Sequence, residues 1–183
     1  FGPMDLQIAK KLTELLINEG RISETQDVID RLEIVPANMI TTQALLHALA
    51  ALEEKFDFVV VLAPTSPFRR PETIRQCIHL AIDEDAPSLL TVCATRDSFG
   101  KFRNGRFQLL EPNSPRRRQD RAPLYYESST VYVCSVRHLI ATESLVVDNW
   151  LGFEVSDREA FDINSEIDFK VAEAMISEDK SNL

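Results

Sequence analysis

Three stretches of this sequence carry side chains suited to holding an anionic ligand and a hard cation. The first is Ala63-Pro64-Thr65-Ser66-Pro67, directly after the apolar run Phe58-Val59-Val60-Val61-Leu62. Such a run reads as a strand buried on both faces, and the prolines end its ladder. Thr65 and Ser66 then present hydroxyls on a rigid loop at a strand's carboxyl end, where open α/β sheets bind ligands; an ordinary structural turn uses the same residues. The second stretch is Phe161-Asp162-Ile163-Asn164-Ser165. In an extended segment the side chains of Asp162 and Asn164 point the same way, and Mg²⁺ takes one or two carboxylates together with phosphate oxygens and water. Capping of a following helix is the competing role for Asn164 or Ser165. The third, Arg116-Arg117-Arg118-Gln119-Asp120, offers guanidinium forks for a carboxylate or phosphate. His47, His79 and His138 have no nucleophile placed to pair with them and read as structural.

The elements that must position these residues follow from apolar spacing. Residues 5–18 read as a helix with Ile8, Leu12, Leu15 and Leu16 on one face, stopped by Gly20. A second helix follows Ser23, where Ser23 and Gln26 have capping-box spacing. A third, from Thr41 to about Lys55, turns Leu45, Leu46, Leu49 and Leu52 inward. Pro71 opens a helix carrying Ile74, Ile78 and Ile82, and residues 88–93 form another buried strand. Residues 101–107 alternate around Asn104-Gly105, the signature of a two-residue hairpin. Strands over 129–134 and 150–155, a short helix over 136–142 and a helix over 166–178 complete the chain, with Ser165 and Asp168 at capping-box spacing. Strands alternating with helices imply an α/β sheet with one hairpin excursion.

Length and charge restrict what the site serves. The 183 residues suit one domain, and the net charge of −9 argues against a nucleic-acid or anionic-membrane binder. No apolar run approaches the roughly 18 residues of a membrane helix. Cys77, Cys93 and Cys134 are odd in number and widely spaced, so they read as small buried hydrophobes in a reducing, cytoplasmic compartment. The acidity is uneven: residues 100–121 carry +5 and the remainder −14. A local cationic patch on an acidic protein suits a small anionic ligand, and a solvated surface loop is its plainer explanation.

In order and interval, three motifs resemble the acylneuraminate cytidylyltransferases, or CMP-sialic acid synthetases, with their relatives acting on legionaminate and pseudaminate. They are Pro64-Thr65-Ser66-Pro67; Arg118-Gln119-Asp120 with Tyr125 and a strand soon after; and Asp162-Ile163-Asn164-Ser165 running through Asp168-Phe169 to Ala172-Glu173. The resemblance spans about Thr41 to Met175. It implies a nucleotidyltransferase-type, Rossmann-like α/β fold with a mostly parallel sheet flanked by helices, and a homodimer joined through the excursion at 99–126. It also implies transfer of CMP from CTP to a nine-carbon 2-keto acid sugar with Mg²⁺, releasing pyrophosphate. Asp162 and Asn164 map onto metal ligands, with Asp162 at the catalytic centre. Thr65, Ser66, Arg118, Gln119, Tyr125 and Ser128 map onto the sugar side, and Thr41 falls near the cytosine-recognition segment.

The departures are specific. Ala63 stands where the family has Gln, Ser128-Ser129 where it has Asn-Gly, and Asn164 where it has Asp. The family's glycine-containing phosphate loop has no counterpart among five scattered glycines. The expectation is therefore a single, N-terminally incomplete domain over 1–183 that does not by itself form CMP-sugar. The other reading is a catalytically impaired homologue that binds a nucleotide or acidic sugar or regulates a partner.

Overall fold

The computed structural model describes residues 41–52, 55–145 and 147–181. The helices expected over 5–18 and after Ser23 lie outside them. The described elements are α1 (Thr41–Ala51), β1 (Phe58–Val61), α2 (Pro71–Asp83), β2 (Ser88–Thr95), β3 (Gly100–Arg103), β4 (Arg106–Leu109), a 3₁₀ turn (Arg118–Asp120), β5 (Leu124–Ser135), α3 (Val136–Thr142), β6 (Leu151–Val155) and α4 (Glu166–Ser181). Pro71 sits in the first turn of α2, where its missing N–H leaves no helix bond unmade. Asn104 and Gly105 both have positive φ, +50° and +72°, as the hairpin turn between β3 and β4 requires. Gly100 is needed for a different reason: a Cβ there would lie 2.5 Å from the Phe107 ring and from the Gln108 carbonyl.

The four-stranded sheet has the order β1-β5-β2-β6, and β3–β4 form a separate two-stranded sheet. The class is α/β, as expected, but the sheet is mixed where a mostly parallel one was expected. Strands β1, β2 and β6 share a direction, while β5 runs against them and pairs antiparallel with both β1 and β2. The hairpin excursion explains the reversal. It leaves from the carboxyl end of β2, so the chain re-enters the sheet from that end and runs back between β1 and β2. The strand is also longer than its apolar run suggested, because Tyr125, Tyr126 and Glu127 pair with β2 while remaining exposed.

Helix α2 covers one face of the sheet, packing Cys77 and Ala81 on Leu89, Val131 and Val133. The three cysteines are buried free thiols, and burial pushes Cys77 up to about 12. Helix α4 closes a second cluster, setting Phe169, Ala172 and Ile176 against Phe68 and Ile163.

The register of β5 against β2 breaks between Leu90, opposite Tyr132, and Thr91, opposite Ser128. The intervening residues bulge out of the ladder, and one side chain replaces the lost bonds. Thr91 Oγ1 lies 3.0 Å from the Ser128 carbonyl and 3.2 Å from the Val131 carbonyl, and it accepts the Val131 N–H at 3.0 Å. Thr91 is fully buried. Thr91→Val keeps the shape but strands these buried groups, so denaturant unfolding should register a loss of about 2 kcal/mol. A loss below a few tenths would mean that the bulge closes without the hydroxyl.

Candidate functional site

The loop over residues 62–70 leaves the carboxyl end of β1 and is pinned along its length. Arg69 reaches back with Nε to the Thr130 carbonyl at 2.5 Å and with Nη2 to the Ala63 carbonyl. The Thr130 carbonyl belongs to the bulge, so the guanidinium fills an acceptor that the ladder abandoned. Burial lowers the Arg69 pKa to about 10, and the nearby Asp162 carboxylate works against that shift. One position earlier, Phe68 anchors the loop in the α4 cluster, with Phe161 edge-on at 5.9 Å and the Arg158 guanidinium 4.5 Å above its ring.

The segment before α4 locks onto this loop through Ile163, whose N–H donates to the Thr65 carbonyl at 2.9 Å. That bond brings the Thr65-Ser66 loop next to the segment that carries Asp162 and Asn164. Asn164 Nδ2 donates to Asp162 Oδ2 at 3.1 Å. Two polar atoms here are buried with no hydrogen-bond partner, Ser66 Oγ and Asp162 Oδ1. Native structures leave few such groups, and an ion or water commonly completes them. Tyr132, on β5, stands edge-on to Trp150 at 6.4 Å and donates its hydroxyl to Glu127 at 2.7 Å. Its pKa rises to about 12 through burial first and its bond to Glu127 second, with a lesser contribution from Asp162.

Behind the site lies Glu159, which the motifs did not reveal. It is 2% exposed, with Oε1 accepting from Thr73 Oγ1 at 2.6 Å and Oε2 lying 2.7 Å from Arg70 Nη2. Its backbone carbonyl accepts from Thr130 Oγ1 at 2.8 Å. Arg69 is the other residue that the motifs did not reveal. Neither has a spacing signal, since each works through contacts distant along the chain.

The remaining candidates stand apart from this cluster. Ser128 lies behind it in the bulge, its hydroxyl 2.6 Å from Thr130 Oγ1. Arg118 is exposed and pairs with Asp97 at 3.1 Å, and Gln119 shares its 3₁₀ turn. Tyr125 donates to Glu154 at 3.2 Å. Thr41 opens α1. The basic loop itself is stitched by Arg121, which donates to the carbonyls of Pro115, Arg116 and Arg96.

The donor set for a cation is small. Among the described residues no group of three or more His, Cys, Asp or Glu side chains is placed to hold a metal. Asp162 Oδ1, buried and unpartnered, fits a Mg²⁺ whose other ligands are water and phosphate, while Asn164 turns its amide Nδ2 to Asp162 Oδ2 and would offer an oxygen only with the amide rotated.

No protein-family model matches the chain. Over 171 residues it is 27% identical to the CMP-N,N'-diacetyllegionaminic acid synthase of Legionella pneumophila, covering 88% of this chain and 67% of that protein. Over 149 residues it is 24% identical to the post-translational flagellin modification protein B of Campylobacter coli, covering 76% and 61%. In sequence the chain is similar to a CMP-acidic-sugar synthetase. It thus spans about two thirds of the length of these curated relatives. Solved structures agree on the nucleotidyltransferase fold. A CMP:2-keto-3-deoxy-manno-octonic acid synthetase complexed with CTP superposes with a TM-score of 0.56 at 14% identity, covering 78% of this chain and 70% of that one. The 4-diphosphocytidyl-2C-methyl-D-erythritol synthase of Anaerococcus prevotii gives 0.54 at 15%, covering 94% and 89%.

The capping expectation for the segment before α4 also holds. Ser165 Oγ accepts the Asp168 N–H at 3.3 Å, while Asp168 Oδ2 accepts from Ser165 Oγ at 2.7 Å and from the Asn164 N–H at 3.1 Å. Asn164 therefore contributes its backbone to the cap and its side chain to Asp162. The Ser165 bond, then the Asn164 N–H, holds the Asp168 carboxyl below its ordinary 3.8. A depressed carboxylate stabilises fully above its unfolded value and loses that contribution as pH falls through the folded one. By NMR, the Asn164 and Asp168 amide shifts should titrate together below about pH 4 and stay flat in Asp168→Asn. Independent titrations would separate the cap from the site.

Proposed function

We propose that this chain carries the sugar-and-metal half of a cytidylyltransferase that moves CMP from CTP to a nine-carbon 2-keto acid sugar and releases pyrophosphate. The observation that carries the reading is the Ile163–Thr65 bond, which sets Asp162 and Asn164 against the Thr65-Ser66 loop at the end of a sheet strand. The name of the Legionella pneumophila relative points to the same chemistry. Asp162 and Asn164 would hold Mg²⁺, which when bound neutralises charge developing on the phosphates. The chain's own contribution is placement: Arg69 and Ile163 fix the loop that would meet the sugar. None of the described glycines (Gly100, Gly105, Gly152) lies in the 62–70 loop or the 156–165 segment. A phosphate cradle would thus come from outside these two stretches. The neutral Asn164 favours a second reading, a homologue that binds these ligands without turning them over.

A pyrophosphate-release assay with CTP, Mg²⁺ and a panel of nonulosonic acids, run on this chain and on a form extended by a glycine-containing phosphate loop, separates the two. Turnover abolished by Asp162→Asn, with its thermal midpoint unchanged, supports the enzyme. Binding of CTP or sugar without turnover supports the second reading, and a midpoint drop with binding intact would reduce Asp162 to capping.

The hairpin supports a homodimer as part of the same reading. Phe102 and Phe107 are 73% and 60% exposed on β3 and β4, with Leu110 and Phe99 beside them, an apolar surface that demands cover. The solution mass should be that of a dimer at micromolar protein, and Phe102→Asp with Phe107→Asp should halve it. A monomeric wild-type mass would refute the interface.

A further inference from the structure

Helix α2 covers one face of the four-stranded sheet, and the opposite face stays open where β2, β5 and β6 run together. Alternation along β2 turns Leu89, Thr91 and Cys93 to the α2 side and Val92 and Ala94 away from it. Tyr125 and Glu127 of β5 stand opposite Ala94 and Val92, and Glu154 of β6 stands beside Val92. The Tyr125 hydroxyl reaches across β2 to Glu154 at 3.2 Å, which places both on this face. Tyr125 is 52% exposed, and Glu127, Gly152 and Glu154 are exposed with it. Gly152 leaves a notch in the surface: within 4 Å a Cβ there would meet only the Val92 side chain, at 3.7 Å. A sheet of this class ordinarily carries cover on both faces.

The β3–β4 hairpin is two-faced in a complementary way. Gly100, Phe102, Phe107 and Leu109 share one face, and Lys101, Arg103, Arg106 and Gln108 share the other. A two-stranded sheet is marginal on its own, yet the exposure of both phenylalanines shows that the hairpin does not lie on its own sheet. Its root is braced. Arg96 donates to the Arg121 carbonyl, Arg121 returns the bond to the Arg96 carbonyl at 3.0 Å, and Arg118 pairs with Asp97 at 3.1 Å. Charge divides the same way, with +5 on residues 100–121 and −14 on the remainder. The root pair Thr95–Leu124 adjoins Ala94–Tyr125, so the open face begins where the hairpin leaves. A two-fold axis beside that root lays each hairpin on the other copy's sheet and closes the assembly at two.

We infer that the open face of β2, β5 and β6 is the seat for the hairpin of a second copy, each copy lending its hairpin to the other. Phe102 and Phe107 cover Val92 and the Gly152 notch, while Arg103 and Arg106 carry their guanidiniums to Glu127 and Glu154 at the rim. This seat rests on the homodimer proposed above and supplies the surface that receives it.

The test is the solution mass of the full chain and its variants at micromolar protein. Gly152→Arg fills the notch at a position where the strand has room for a side chain, and should weaken the dimer at least about tenfold. Glu127→Lys with Glu154→Lys should do the same, as should Arg103→Glu with Arg106→Glu. An equimolar mixture of these two double variants should recover a dimer holding one copy of each, because both of its contacts again pair opposite charges. A wild-type dimer that survives Gly152→Arg and the Glu127/Glu154 changes at native thermal midpoint overturns the inference. The homodimer would then stand, with the hairpins packed on each other. A mixture that stays monomeric overturns it too, and a monomeric wild type overturns both readings. If the double variants do not fold, Gly152→Arg alone decides.

Discussion

A carboxylate as buried as Glu159 costs several kcal/mol unless its oxygens are partnered, and its partners draw four pieces of chain together. Thr73 comes from the first turn of α2, Arg70 from the loop before it, Thr130 from the β5 bulge, and Glu159 itself from the turn after β6. None of these segments neighbours another in sequence except Arg70 and Thr73. The carboxylate also sits beside the start of α2, where the helix dipole favours negative charge and Arg70 offers no side-chain cap of its own. The site is built outward from this point.

The bulge carries the constraint forward. By stepping out of the ladder it frees the Thr130 carbonyl for Arg69 and turns the Thr130 hydroxyl to Glu159, so one residue joins the buried carboxylate to the pinned loop. Thr91 keeps the break from unravelling. A regular strand would satisfy its own backbone and offer Arg69 nothing to hold.

What the sequence disclosed was what local chemistry encodes. Asn104-Gly105, Pro71 and the Ser165–Asp168 box each act within a few residues, so their types suffice to read them. The hydroxyl loop and Asp162-Asn164 were readable because their neighbours, prolines and a helix start, fix the backbone locally. Glu159 and Arg69 were not, because the contacts that give them meaning reach across the chain, 61 positions from Arg69 to Thr130 and 29 to 89 from Glu159 to its partners. The direction of β5 was hidden for a related reason. Reversal follows from where the hairpin returns the chain, and the exposed Tyr125 and Tyr126 lack the apolar continuity of a buried strand.

Two of the three carbonyls from Ala63 to Thr65 are committed, to Arg69 and to Ile163, and the remaining one belongs to a proline of fixed φ. Such a backbone has little conformational freedom left to surrender. A molecule settling against Thr65 and Ser66 meets a preformed sill, and the entropy that loops ordinarily forfeit on capture is already spent in folding. Recognition at this edge is therefore closer to rigid-body docking than to wrapping.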